Sequence, residues 1–560
     1  MNIGSVRAGK GLAMSAPEQS DAAVRADEAP SREGRRLGPA LFLFALCWFL
    51  LWGRGMPPTG DERETLEAAR GLFYLGRPER LGLAGERLGT SKYGIGQSLV
   101  DLPGVAAEGL AGLLWPGAPG CVRIALMQLP GTAAAALAVW LLFAIGRRLD
   151  YGPRRSAAIA LGAALSSPLW PYSRTLFADL TVAVTILGAF WAALRFETEG
   201  RRARDAALEG LFLAFGMATK FGAAISIPLF GLHALWAGAR GQSRNGQARP
   251  LAAGRFALSL AAFAAPLALG GGWLLLFNRL RYGRWLETGY WVSADESFGF
   301  GTPLWVGLYG MLFSSGKSVF LYSPLLVGAL WGWAGLLRRR AASGALLASI
   351  IAAGLLFYAR WWAWHGDWCW ANRHILYATL LGLIPLGELG AGASEARGRR
   401  RWRLAGLWSL AAAGLAVNLL GVVVWRSLPF YLGSTMLQEP VFKRPLYEKG
   451  TWEIRDDFAH FHFIPEFSPL ATHLWLARAI WNRERWSGEE IARRAPWMRL
   501  NAAWKPRIPE DYRPYLAYDT WWHGQWAAGL WSALESVLLA VLSLGALGSG
   551  LGVLRALGIW

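Results

Sequence analysis

The chain has 560 residues, 54% of them hydrophobic and 17% charged, with 32 Trp and a mean hydropathy of +0.27. Soluble domains carry about 25% charge and 45–50% apolar residues, so a soluble enzyme, a disordered chain and a disulfide scaffold are all poor descriptions. Lys and Arg number 57 against 38 Asp and Glu, a formal net charge of +19, but the Arg residues sit in short clusters between apolar runs. That is the pattern of cytoplasmic loops under the positive-inside rule, and no nucleic-acid partner is expected.

Residues 1–36 are rich in Ala, Ser, Glu and Arg without apolar period and read as a disordered cytoplasmic tail. The apolar run 38–54 has a long basic flank and no small-residue cleavage site, so it reads as an uncleaved signal anchor. The next basic cluster lies at 147–155, so the run 122–146 must return the chain before it. Residues 55–121 then form a large outer loop. Two helical patches lie in it, 61–74 and 97–115, and the second carries Asp101 and Glu108 and is expected to lie on the membrane surface. Further spans are expected near 157–173, 180–195, 206–219, 221–238, 256–277, 317–337, 342–360, 374–390 and 404–425. An aromatic-rich outer segment, 426–526, precedes a final span at 527–553, within 527–560. The expectation is an all-α polytopic membrane protein with a transmembrane core over 37–425. It has about twelve spans of ~20 residues, and both termini are cytoplasmic.

The outer segments hold the residues that carry chemistry. Asp61-Glu62 follows the first span; Asp61 reads either as the cap of a helix, with Glu64 three residues on, or as a general base at the membrane surface. Ser91-Lys92-Tyr93-Gly94 precedes the second surface helix, and Lys92 is either a phosphate-binding point charge or a snorkelling lysine. Asp179 lies between spans, where an ionisable residue is a functional candidate, and would equally cap the span that follows. The run from Trp364 to His374 holds Trp364, Trp368 and Trp370, either an interfacial belt or a platform for a sugar face, and Arg373, whose fork suits a phosphate. His365, Asp367 and His374 are the residues that would ligate a divalent metal, though without tight ligand spacing. Of the cysteines, Cys121 and Cys369 both fall outside, which leaves either a disulfide or two free thiols.

These patches, in this order, resemble the GT-C membrane glycosyltransferases, in particular the protein O-mannosyltransferases and the lipid A aminoarabinose transferases. The resemblance spans roughly 38–390. It rests on Asp61-Glu62 in the first outer loop, Lys92, Asp179, Lys220 in Ala218-Thr219-Lys220, the stretch Leu312–Pro324, and the Trp-rich run ending in Arg373. Asp367, Ala371-Asn372 and His374 depart from the Gly, Gly-Pro and Tyr of that last motif. The resemblance implies a hexosyl- or pentosyltransferase of the inner (plasma) membrane. Its sugar would come from a polyprenyl-phosphate donor and pass, with inversion, to a glycan, lipid or protein acceptor on the outer (periplasmic) face. Asp61, with Glu62 and Asp179, would be catalytic; Lys92, Tyr93, Lys220 and Arg373 would hold the donor phosphate; and no cofactor beyond a divalent metal is in question. A transporter or flippase of lipid-linked sugars is the competing class. No internal repeat of the transporter kind is present, and the candidate residues cluster at an outer mouth. An inactive scaffold of the same fold is the remaining alternative.

The topology has a direct check. Cysteines placed at Gly76 and Gly450 should react with an impermeant thiol reagent from the outer side, and one at Gly152 should not; labelling at 152 from outside contradicts the arrangement.

Overall fold

The computed structural model describes residues 32–77, 79–82, 85–118, 120–199, 202–240, 253–289, 299–367, 369–390, 397–429, 432, 459–500, 508, 516–523 and 533–556. Apolar runs dominate these residues, and they fold as helices because only a helix satisfies every backbone group within its own segment in an apolar surround. Among the described residues seven helices are long and apolar enough to cross a membrane: Val122–Arg148, Ala178–Thr198, Phe221–Ala239, Ala253–Tyr282, Ala341–Arg360, Gly398–Val423 and Ser536–Arg555. The other expected spans are helical but shorter or broken. Helix α1 is Arg32–Leu51, while the expected span 157–173 is the helix Pro153–Ser166 followed by the short turn Leu169–Tyr172, interrupted at Pro168. The expected spans 317–337 and 374–390 are each a series of short α and 3-10 turns, with Pro324 and Pro385 among the breaks. Proline removes a backbone donor and clashes with the preceding turn, so hydropathy alone overstates the length of these elements.

The loop after α1 contains the two expected surface helices, α2 (Asp61–Leu75) and α3 (Ile95–Leu114). Between them lies an antiparallel hairpin of β1 (Glu79–Leu81) and β2 (Arg87–Thr90), which hydropathy does not reveal. Helix α3 presents its polar residues inward. Asp101 accepts from Gln97 Nε2 at 2.8 Å, and Glu108 pairs with Arg70 at 3.2 Å and with Arg123, whereas Leu110, Leu113 and Leu114 are exposed. The acids that argued for a helix on the membrane surface are buried against protein, and the helix turns leucines outward.

Helix α4 (Gly120–Arg148) and α5 (Ala178–Thr198) pack together. α5 is buried along nearly its whole length, and α6 (Ala203–Thr219) and α7 (Ala253–Tyr282) pack outward from it in turn. At 1.5 Å per residue α5 separates its two ends by about 30 Å. One end gathers the basic clusters: Arg148 pairs with Glu199, Arg195 with Asp205 at 2.9 Å, Arg339 with Glu388 at 2.6 Å and Arg340 with Asp150. The other end begins at Asp179. The described parts of 426–526 form their own apolar cluster around Trp475, Trp497, Phe461 and Phe467.

At the Asp179 end the chain between helix α8 (Ala341–Arg360) and Arg373 folds into a tight loop. Gly366 has φ 73° and Asp367 and Ala371 have φ 61° and 54°; positive φ is uncommon for residues bearing a Cβ and marks strain held by the surroundings. A side chain at Gly366 would be strained by its φ and would push on Arg373, since a Cβ there would lie 2.9 Å from Arg373 Cγ. Lys317 supplies much of the hold. It is fully buried, and its Nζ donates to the carbonyls of Asp367 (3.0 Å), Cys369 (2.8 Å) and Ala371 (3.0 Å). Cys369 is a free thiol with its Sγ 3.4 Å from the same ammonium. Replacing Lys317 by Met should therefore take a donor from all three carbonyls; the Asp367 carbonyl keeps the Cys369 N–H at 2.8 Å and the Ala371 carbonyl the Cys369 thiol at 3.4 Å, so among the described residues the Cys369 carbonyl is left without a donor, at about 1–3 kcal/mol. Thermal unfolding of the detergent-solubilised chain should show a markedly lower Tm; an unchanged Tm contradicts this reading of the loop.

Candidate active site

Helix α2 starts at Asp61, and its N-cap is Gly60, at φ 59° with no side-chain cap. Asp61 is thus not the cap its sequence context allowed. Its carboxylate turns instead to Arg373 Nη2 at 2.7 Å, with the side chain a third exposed. Burial pushes the Asp61 carboxyl up, but Arg373, the Tyr93 hydroxyl and Lys220 outweigh it and bring its pKa down to about 2. Arg373 is nearly buried and also reaches Asp367 at 3.2 Å and, through Nε, Asp179 at 3.8 Å. Its guanidinium lies 4.5 Å from the centre of the Phe177 ring, a cation–π contact.

Asp179 opens α5 and is buried. Lys220, at the C-terminal end of α6, donates to Asp179 Oδ1 at 2.6 Å and to His374 Nδ1 at 2.8 Å. The Ala363 carbonyl lies 3.0 Å from His374 Nε2, which assigns the proton to that nitrogen and leaves Nδ1 as the acceptor. Tyr358 stacks on the His374 ring at 4.8 Å and receives the Lys220 ammonium at 5.6 Å. Three carboxylates thus surround two cations, an excess of one negative charge.

Lys92 stands at the rim. Its backbone N–H donates to Glu64 Oε1 at 2.9 Å, and the Ser91 and Tyr93 carbonyls flanking it are held by Arg281 at 2.8 and 2.9 Å. The ammonium lies 5.3 Å from the Tyr93 ring, and among the described residues no carboxylate pairs with it. Sequence order therefore brings Asp61, Tyr93, Asp179, Lys220 and Arg373 into one cluster with Lys92 beside it. Missed from sequence was the depth of His374, whose ring closes the Lys220–Asp179 contact; its place one residue after Arg373 was the available signal.

Other candidates belong elsewhere. Glu62 is fully buried, bonded to Arg54 at 2.9 Å, Arg426 at 2.5 Å and the Leu176 N–H at 2.9 Å. A carboxylate so enclosed admits no hydroxyl, so Glu62 is a structural anchor and not a base. Trp364 and Trp370 are buried: Trp364 packs on His365, His462 and Phe463, and Trp370 crosses Tyr322 edge-on at 5.0 Å. Neither offers a face to a sugar, and Trp368 lies outside the described residues. Among the described residues no group of three or more His, Cys, Asp or Glu side chains is arranged to hold a metal ion; His365 Nδ1 accepts the Asp367 N–H at 2.9 Å and His374 is engaged with Lys220.

Residues 122–268 match the family model described as dolichyl-phosphate-mannose-protein mannosyltransferase. No curated protein matches the chain significantly. Among solved structures, ArnT from Cupriavidus metallidurans matches at 13% identity and a TM-score of 0.40 in the apo state, over 91% of this chain and 74% of that one. Bound to undecaprenyl phosphate it matches at 14% identity and 0.42, over 93% and 76%. The oligosaccharyltransferase AglB from Archaeoglobus fulgidus, in complex with an inhibitory peptide and a dolichol-phosphate, matches at 12% and 0.37, over 78% and 63%. With its family match carried by residues 122–268, the chain resembles the GT-C membrane glycosyltransferases.

Proposed function

We propose that this protein is an integral-membrane glycosyltransferase of the inner membrane. It would take a sugar from a polyprenyl-phosphate donor and pass it, with inversion, to an acceptor at the end of the bundle opposite the basic clusters. The observation that carries the reading is Asp61: a partly exposed carboxylate, unused as a cap, paired with an arginine at the mouth of a cluster of buried ion pairs. The matched family's description names a dolichyl-phosphate sugar donor. Under the positive-inside rule the mouth faces outward.

The chemistry follows from the charges. The departing polyprenyl phosphate is a good leaving group and needs no general acid, but cations must take up its growing charge. Lys92 stands at the rim with no carboxylate paired to it among the described residues, and Arg373 and Lys220 lie behind it. Asp61 paired with Arg373 is ionised yet weakly basic. A donor phosphate that draws the Arg373 fork away relieves the carboxylate of its strongest opposite charge and raises its basicity. Asp61 then takes the proton of the attacking hydroxyl as that oxygen forms the new glycosidic bond and the carbon–oxygen bond to the phosphate breaks. Donor binding and base strength are coupled through one guanidinium. Asp179 stays buried behind Lys220 and Arg373 and orients both.

Turnover of a radiolabelled polyprenyl-phosphate sugar by purified variants tests this. Asp61→Asn should lower turnover about 10²–10⁴-fold and leave the fold intact, because Gly60 and not Asp61 caps the helix. Lys92→Ala should weaken donor binding, and Arg373→Lys should recover little, since an ammonium cannot hold carboxylate and phosphate as a fork does. If Asp61→Asn retains near-normal turnover and Asp179→Asn does not, Asp61 is not the base and the catalytic role moves to the Asp179 side of the cluster; if both stay active, the mechanism is wrong.

A further inference from the structure

A separate, cationic pocket lies beside that cluster. Arg54, which follows α1, Arg174, which precedes α5, and Arg426 converge on a pocket also lined by Tyr172, Phe177, Trp370 and Asp519. None of Asp61, Lys92, Lys220 or Arg373 lines it. Phe177 is the partition: Arg373 lies 4.5 Å and Arg426 4.7 Å from its ring centre.

The pocket carries more positive charge than its own carboxylates neutralise. Glu62 serves Arg54 and Arg426, and Asp519 serves Arg174 at 3.0 Å, so two carboxylates face three guanidiniums. Arg54 is 3% exposed, and its Nε and Nη2 have no hydrogen-bond partner among the described residues. Leaving buried donors of a charged group unpaired is expensive. Burial lowers the Arg174 pKa to about 10; Asp519 opposes that fall, and Arg54 and Arg426 deepen it. An anion would relieve both conditions at once.

We propose that this pocket binds an oxyanion of the phosphate class, and that its source is an anionic group on the acceptor rather than the carrier phosphate. The anion assignment stands on the pocket alone. The acceptor assignment rests on the glycosyl-transfer reading, with the pocket seating the acceptor across Phe177 from the base.

The test is titration of the full-length detergent-solubilised chain with inorganic phosphate, read by tryptophan fluorescence, since Trp370 lines the pocket. Wild type should show a saturable response. Arg54→Lys keeps a cation for Glu62 but loses the spare donors, and should weaken phosphate about tenfold or more; Arg493→Ala, an exposed arginine that lines neither site, should leave it unchanged. Should Arg54→Lys fail to fold, phosphate protection of Arg54 from phenylglyoxal in wild type, read by mass spectrometry, replaces it. No saturable response, no protection, or a response lost in Lys92→Ala and kept in Arg54→Lys overturns the site. A parallel titration with undecaprenyl phosphate separates the sources. Binding kept in Arg54→Lys supports the acceptor assignment; binding lost there gives the pocket to the carrier and overturns it. Phosphate binding is read without turnover, so its failure is distinct from failure of the Asp61 mechanism.

Discussion

The site depends on one buried guanidinium. Arg373 is 6% exposed and lies within 4 Å of the carboxylates of Asp61, Asp179 and Asp367. A charge in that position is tolerable only while it is paired, so its partners must be delivered by separate parts of the chain: the start of α2, the start of α5 and the strained loop itself. The pairing thereby ties the outer helices to the bundle. It also sets the chemistry, because the group that holds the loop to α2 is the one that suppresses the basicity of Asp61. Stability and reactivity compete for the same fork, and substrate charge is the natural arbiter.

Two supports surround that arrangement. Lys317 gathers three carbonyls of the 364–374 loop and holds residues at positive φ where they would not rest alone. Glu62, next in sequence to Asp61, points the opposite way into Arg54 and Arg426. Successive helical residues are about 100° apart around the axis, so one carboxylate can anchor α2 while its neighbour faces the cluster. The same anchor places three arginines around a neighbouring pocket, and Phe177 keeps the two sets of charges apart.

Much of this was legible in the sequence, for identifiable reasons. The long apolar runs 122–146, 256–277 and 404–425 are helices because their composition admits nothing else in an apolar surround. Asp61, Lys92, Asp179 and Arg373 stood out as ionisable residues at the edges of such runs and Lys220 through the family resemblance; all but Lys92, which stands at the rim, meet in one cluster. Other features were illegible because they depend on tertiary partners. Glu62 and Asp61 are indistinguishable by type and differ only in which arginine lies opposite. The Trp run suited a surface platform, yet Trp364 and Trp370 fill the interior once the loop folds back. Asp101 and Glu108 argued for a helix on the membrane surface, and Gln97, Arg70 and Arg123 make their burial tolerable. Lys317 was passed over because nothing local announces that distant carbonyls will surround it. The breaks at Pro168, Pro324 and Pro385 were visible as residues, but hydropathy averaged across them.

The central claim is that the donor phosphate and Asp61 compete for Arg373. Infrared difference spectroscopy on the aspartate carboxylates, assigned by comparison with Asp61→Asn, measures this directly in the presence and absence of undecaprenyl phosphate. The account predicts that the Asp61 carboxylate titrates at about 2 in the free protein and at a higher pH once the lipid phosphate is bound. A titration of Asp61 that stays in place when the lipid binds would contradict it.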